Sequence, residues 1–362
     1  MAAASAPKLV LSAIATLLTV SVMALLPLSA SAAAPAIETD IATRFADLYA
    51  AAQKEGQVAY YNEGREEENA ALAAFWKKTF PKVRLLITAK QTMALIPTIE
   101  TERATGRGRA DVVTITEPYI ASQWKAKGYY ASYKTKQFGK IKEFVDADAT
   151  RYVNGIYLLM PAYNTKAFPD KTVLPKSFAD FQDPKWKGKI VLADPKTAGS
   201  NVIYFHSQLE LKRIEWQAIQ KLAPQDILFV RGNAEATNLL SAGERVISPM
   251  VSTQNILNAK LKGQPVDFFP NKEGSIELRR TTGIFANAPS PNAARLLLEV
   301  VGDPEVQTLL ANAGSYWPTN PDAKLPAGMP KLSSMNPVQV DIADDETETA
   351  AFVKKFNAVF GR

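Results

Sequence analysis

The stretch GQVAYYNEGREEENAALAAFWKKTFPKVRLLITA, residues 56–89, decides the fold class. After Gly56 a short apolar run, Val58-Ala59-Tyr60-Tyr61, reads as a buried strand. Leu72, Phe75, Trp76 and Phe80 then recur at helical spacing, and Pro81 closes that helix. Val83–Thr88 reads as a second strand. Strand, helix and strand in so short a span predict a crossover unit, and with it a parallel sheet covered by helices.

The pattern extends in both directions. Ile41, Phe45, Leu48 and Ala52 mark one face of an upstream helix that stops at Gly56. Downstream, Leu95, Ile96 and Ile99 lie on a helix ending at Gly106, Asp111–Ile115 reads as a buried strand, and Pro118 opens a helix ending at Gly128. Strands are expected at Tyr152–Tyr163, Ile190–Ala193, Ile227–Val230 and Arg245–Met250. Between and after them come a long helix from about Ser200 to Leu222 and helices at Ala234–Ala242 and Ser252–Lys262. The last third carries a strand Gly283–Ala286, a helix Pro291–Val301, a proline-rich segment from Trp317 to Pro337 and a helix Glu346–Phe360. The prediction is an α/β protein of two lobes, each a mixed, mainly parallel sheet flanked by helices. Ligands of such sheets bind beyond the carboxyl ends of the strands.

Lys8 is the only charged residue before Glu38, and an apolar run Leu9–Leu26 leads into Pro27 and Ser29-Ala30-Ser31-Ala32-Ala33. A cationic start, an apolar middle and an A-x-A site predict a secretory leader cut after Ala32, hence a periplasmic protein. Pro27 and the Ala/Ser run argue against an uncleaved anchor. The formal net charge is +6, from 42 Lys and Arg against 36 Asp and Glu, without a Lys/Arg run, so no nucleic-acid partner is expected. With no cysteine there is no disulfide and no thiolate metal site. His206 is the single histidine, which leaves little for zinc or triad chemistry. Paired carboxylates leave no sequence signature, so hydrolysis on this scaffold stays open. Neither a cofactor nor an enzymatic activity is expected.

Two polar segments stand between strands and helices. Asn62-Glu63-Gly64-Arg65 follows the first strand, and Thr197-Ala198-Gly199-Ser200-Asn201 opens the long helix. Free N–H groups at a helix start make an anion site, and an arginine facing them can grip a carboxylate or phosphate. Ordinary capping by Ser200 or Thr197 would use the same residues, and Arg65 alone is also a common surface charge.

Several segments taken in order resemble the bacterial extracellular solute-binding proteins of the ferric-iron, thiamine and phosphonate transporter group. They are Val58–Asn62, Ala110-Asp111-Val112-Val113, Tyr163-Asn164-Thr165, Leu174–Phe178, Asp183–Ile190, Gly243-Glu244 and Gly314-Ser315-Tyr316-Trp317-Pro318. The resemblance implies the type II periplasmic binding fold and a ligand in the cleft between lobes, here residues 33–135 with 272–362 and residues 136–271. It also implies hinge closure and a partner permease and ATPase, with the binding protein a monomer. Where ferric binders carry adjacent tyrosines this chain reads Ser252-Thr253-Gln254, and Arg65 stands where some carry a histidine. Glu117 lies near the place of an iron-ligating carboxylate. The resemblance therefore implies a small anionic solute at Arg65, Thr197, Gly199, Ser200 and Asn201, with Ser252, Thr253 and Gln254 lending selectivity. Tyr61 and Tyr316 are expected to border it. Ferric iron or a thiamine-like cation is the alternative, and sensory presentation is not separable from transport.

Overall fold

In the first crossover unit, β1 (Gln57–Asn62) runs into α3 (Glu66–Thr79) and returns as β2 (Arg84–Ala89), parallel to β1 in the register Tyr60↔Ile87. The computed structural model describes residues 37–90, 92–340 and 346–362. The expected leader, residues 1–32, lies outside them. Upstream of β1 the single expected helix is two, α1 (Ile37–Arg44) and α2 (Ala46–Gln53). Downstream follow α4 (Thr92–Ala104), β3 (Val112–Ile115) and α5 (Pro118–Ala126). β1 is central, and β3 joins it in parallel.

Alternate residues of these strands feed different cores, as the two-residue period of a strand requires. Val58, Tyr60 and Val112 pack under α1–α3 and α10 (Pro291–Gly302), while Ala59, Tyr61, Val113 and Ile115 pack with Trp124 of α5. Covered on both faces, β1 and β3 are almost continuously apolar.

The long strand β4 (Tyr152–Asn164) leads to β5 (Val191–Ala193), α6 (Gly199–Glu210), α7 (Trp216–Gln220), β6 (Leu228–Val230), α8 (Asn233–Ala242), β7 (Ile247–Ser252), α9 (Thr253–Leu261) and β8 (Val266–Phe268). β9 (Ser275–Ile284) follows, then α10, α11 (Pro304–Gly314), β10 (Pro337–Val338) and α12 (Glu346–Val359). The main sheet is mixed, in the order β2-β1-β3-β9-β4-β7, with β5 and β6 forming a separate parallel pair. β9 pairs antiparallel with β3 at one end and along β4, and β4 pairs antiparallel with β7 and β8 beyond it. The two long strands therefore span both groups of elements. Among the described residues no helix is long and apolar enough to cross a membrane.

Three further expectations need correction. The helix expected at 200–222 is broken: Lys212 adopts a left-handed φ of 53°, letting Arg213 donate to the Glu273 carbonyl at 2.7 Å and Ile214 enter the core. The strand expected at Gly283–Ala286 lies earlier, at Ser275–Ile284, and was signalled by alternation that isolated charges obscured. Helix α11 was not anticipated, although Asp303 followed by Pro304 is a strong start signal: its carboxylate accepts the Glu305 N–H at 3.0 Å.

Candidate functional site

Five helices, α3, α5, α6, α8 and α9, begin at one cleft of about 760 Å³. Each follows a strand, of the main sheet for α3, α5 and α9 and of the β5–β6 pair for α6 and α8, so all five N-termini lie beyond carboxyl ends of strands. None of the five helices is capped by its N-cap side chain: Ala198 and Gly232 have none that could, and those of Arg65, Glu117 and Ser252 make no cap bond. By contrast α10, away from the cleft, has its first N–H groups taken by Glu55, at 3.1 Å from Asn292 and 2.8 Å from Ala293. A volume of this size suits a small solute.

One wall is made by the starts of α6, α8 and α9. Asn233 joins them, donating to Ser200 Oγ at 2.8 Å while its Oδ1 accepts the Ser252 N–H at 3.3 Å. Two of the site residues expected on this wall face the protein instead of the cleft. Asn201 is fully buried and donates to the Ala193 carbonyl, tying α6 to β5. Thr253 is also fully buried, and its Oγ1 accepts the Leu158 N–H at 2.9 Å, tying α9 to β4. Thr197 does line the cleft, but its hydroxyl proton goes to backbone, the Arg231 carbonyl at 2.8 Å. Gly199 and Gly232 line it too, and a Cβ on either would meet no protein atom within 4 Å. The space beside them is open. Ser252 is 4% exposed and lines the cleft, yet its Oγ has no hydrogen-bond partner.

The opposite wall comes from the β1–α3 turn and the start of α5. Asn62 Oδ1 accepts the Gly64 N–H at 2.6 Å, and a Cβ on Gly64 would sit 2.7 Å from that oxygen, so a larger residue there would have to displace it. Arg65 reaches over the cleft to Asn255 Oδ1 at 3.4 Å, with its Nε 3.5 Å from Glu67. Glu67 in turn meets Lys262, just past α9, at 3.3 Å. The Glu67 carboxyl is held below its usual range, first by its own backbone N–H and then by Arg65 and Lys262, against an opposing effect of burial.

A residue that sequence reasoning missed forms the floor. Arg280 of β9 is 2% exposed, and its Nη1 meets Glu68 Oε1 at 2.7 Å. Burial alone would lower its pKa, but Glu68 and the neighbouring phenols raise it above the ordinary value. Arg280 lines the cleft, and its buried Nη2 has no hydrogen-bond partner. The signal was available: Ile276, Leu278, Arg280 and Thr282 occupy the buried positions of an alternating strand. Tyr157, Glu63 and Asn233 were also missed and also line the cleft.

Of the remaining expectations, Arg65, Glu117, Gly199, Ser200, Ser252 and Gln254 all line the cleft. Tyr316 does not; it lies beneath Arg280, whose guanidinium carbon is 4.5 Å from its ring centre. Gly155 and Gly314 make room for that ring, since a Cβ on either would come within 2.6 Å of it. Tyr61 points to the other face of β1 and donates to Glu102 at 2.9 Å; burial, with Glu102 adding, pushes its pKa up to about 12. His206 lies in α6 with its ring 5.8 Å from that of Phe352. Among the described residues no group of three or more His, Cys, Asp or Glu is placed to hold a metal ion.

Comparison with known proteins gives this arrangement its relatives. The family model for bacterial extracellular solute-binding proteins matches residues 70–337. The chain belongs to this family. As a family of binding proteins, extracellular solute-binding proteins capture small solutes. Solved structures agree on the fold. Iron-bound HitA from Pseudomonas aeruginosa superposes with a TM-score of 0.70 at 17% identity, covering 83% of this chain and 99% of its own. AfuA from Actinobacillus pleuropneumoniae, solved with fructose-6-phosphate, gives 0.69 at 18% identity over 84% and 99%. A substrate-binding protein of an ABC transporter from Agrobacterium tumefaciens gives 0.72 at 15% identity over 84% and 94%. No curated protein matches the chain.

Proposed function

We propose that this solute-binding protein is the periplasmic component of an ABC importer and captures a small anion: a phosphonate, a phosphorylated small molecule or an organic carboxylate. One observation carries the reading. The starts of α6, α8 and α9 face a cleft in which two buried polar atoms, Ser252 Oγ and Arg280 Nη2, lack a partner. An unpaired guanidinium N–H needs an acceptor, and uncapped helix starts favour a negative one by about 0.3–1 kcal/mol each. AfuA, of the same fold, is solved with a sugar phosphate, which supports this ligand class; HitA, solved with iron, marks the alternative. In this reading residues 33–135 with 272–362 and residues 136–271 are two lobes that close on the solute, and the monomer delivers it to a permease with its ATPase. Closure would be driven by contacts the solute makes to both walls.

A thermal-shift screen tests the reading with phosphonates, sugar phosphates, carboxylates, thiamine and ferric salts. A ligand at ~100 times its dissociation constant adds roughly 2.7 kcal/mol of stability. Stabilisation by an anion is expected. If ferric iron or thiamine alone stabilises the protein, the anion is the wrong class.

A further inference from the structure

A second cavity, of about 740 Å³, adjoins the cleft. The two touch at Thr197, Gly199 and Ile203 and part at β9, where Glu277 lines the second cavity while Leu278 and Arg280 line the cleft. Successive side chains of a strand point to opposite faces, so β9 stands between them. The walls of the second cavity are mostly apolar, with Val202 of α6 on one side and Pro118 at the start of α5 on another. The third wall is α12, where Ala350, Val353, Lys354 and Asn357 recur at helical spacing and all line the space. Phe352 and Phe356 fix that helix from its other side, buried in one core with Phe205, whose ring centre is 5.2 Å from that of Phe356.

One group does not suit such a lining. Asn357 is 3% exposed, and neither its Oδ1 nor its Nδ2 has a hydrogen-bond partner. Packing alone would be served as well by a leucine, and a buried carboxamide left unmet is costly. It presents an acceptor beside two donors. A carboxylate or an ester can accept from Nδ2 but has no proton for Oδ1, whereas an amide answers both atoms. Most charges around the cavity are already engaged. Arg362 meets Asp194, Glu277 meets Arg279 at 3.0 Å, and Glu117 has its own partner within the protein. Lys196 and Lys354 also line the space, are exposed, and make no ion pair among the described residues. The rim therefore favours a negative group.

We propose that this cavity is a second ligand site, separate from the cleft, and takes an apolar amide with an anionic end, of the class of N-acylated amino acids. The amide pairs with the Asn357 carboxamide, the apolar body lies between α6 and α12, and the carboxylate reaches Lys196 and Lys354. The site is independent of which solute the cleft holds. Its volume suits a molecule of this size.

Isothermal titration of the whole protein tests it with N-acylglycines carrying benzoyl, hexanoyl or decanoyl groups. Each is measured against its analogue with methylene in place of the amide N–H, and against the matching N-ethyl amide, which lacks the carboxylate. The best acylglycine is expected to bind at least ~10-fold more tightly than its methylene analogue and at least ~3-fold more tightly than its N-ethyl amide. In Asn357→Leu, which keeps a side chain of similar length on α12, the first ratio falls below about twofold while the melting temperature holds. Lys196→Met and Lys354→Met together bring the second ratio to about one and leave the first unchanged. Each ratio is internal to one variant, so a general loss of folding does not imitate it. Binding of none of the probes, equal affinity for amide and methylene analogue, or an amide preference that survives Asn357→Leu overturns the site. An N-ethyl amide that binds as well as its acylglycine removes the anionic end and overturns the ligand class. An amide preference that Ser252→Ala removes and Asn357→Leu keeps puts the ligand in the cleft and likewise overturns the second site.

Discussion

The two walls of the cleft are built from the same parts and end with opposite characters. Each consists of helices starting at the ends of strands. The α6, α8 and α9 starts carry glycine, serine and asparagine, and the first turns of α6 and α9 have no acidic residue. The α3 start carries Glu66, Glu67 and Glu68 in its first turn, which offset the positive end of its own helix. A helix start by itself therefore does not define an anion site. What matters is whether the chain has already supplied the negative charge.

The largest test of this comparison lies at the floor, where Arg280 of β9 meets Glu68 of α3. Arg280→Met leaves a 6% exposed carboxylate without its cation and should cost about 3–5 kcal/mol in denaturant unfolding. A loss under about 1 kcal/mol would mean that the pair is dispensable and the walls are not joined there.

Next come paired glycines, one on each wall. Gly64→Ala drives a methyl against Asn62 Oδ1 and should destabilise the fold by about 1–3 kcal/mol. Gly199→Ala meets no protein atom, so the melting temperature should hold while affinity for the anion found in the screen falls roughly three- to tenfold. Equal behaviour of the two substitutions would erase the distinction between a packed wall and an open one.

Ser252→Ala sharpens the same point. Its Oγ has no partner to lose, so stability should change by less than about 0.5 kcal/mol, whereas a lost hydrogen bond to the solute costs about 1 kcal/mol of binding. A drop in stability without a change in affinity would move Ser252 from the site to the scaffold.

The smallest effect is at the mouth, where Glu67 contacts Arg65 and Lys262. A carboxyl held below the usual 4.5 in the fold gives stability that is present above that value and lost as pH falls through the folded pKa. The stability difference between wild type and Glu67→Gln should therefore vanish in acid and shrink with added salt. At this exposure it should stay below about 1 kcal/mol at neutral pH. A difference that persists in acid would assign Glu67 a role other than its charge.

Much of the fold was legible because local chemistry writes it. The β1–α3–β2 unit, strand β4 and the starts of α6, α8 and α9 follow from apolar period, glycine and proline placement, which depend on neighbours in the chain. The break after α6 was not legible, because the interactions that draw Arg213 and Ile214 inward come from residue 273 and a core assembled from distant segments. The site divides the same way. Arg65, Glu117, Gly199, Ser200, Ser252 and Gln254 line the cleft because loops between strands and helices of such sheets surround it. Asn201 and Thr253 stand within one or two residues of these and face inward, a distinction set by the turn of the helix against its strand.

The sequence by itself thus determined an α/β protein with its polar helix starts at one edge. Tertiary structure alone decided which atoms remain unpaired there. Arg280 became the floor because β9 pairs with β3 and β4, which brings its guanidinium to Glu68 more than two hundred residues away in the chain. Tyr316 became a support for Arg280 because Gly155 and Gly314 leave space for a ring. Charge balance in a cleft is a sum over segments that meet only after folding, and no local pattern carries that sum.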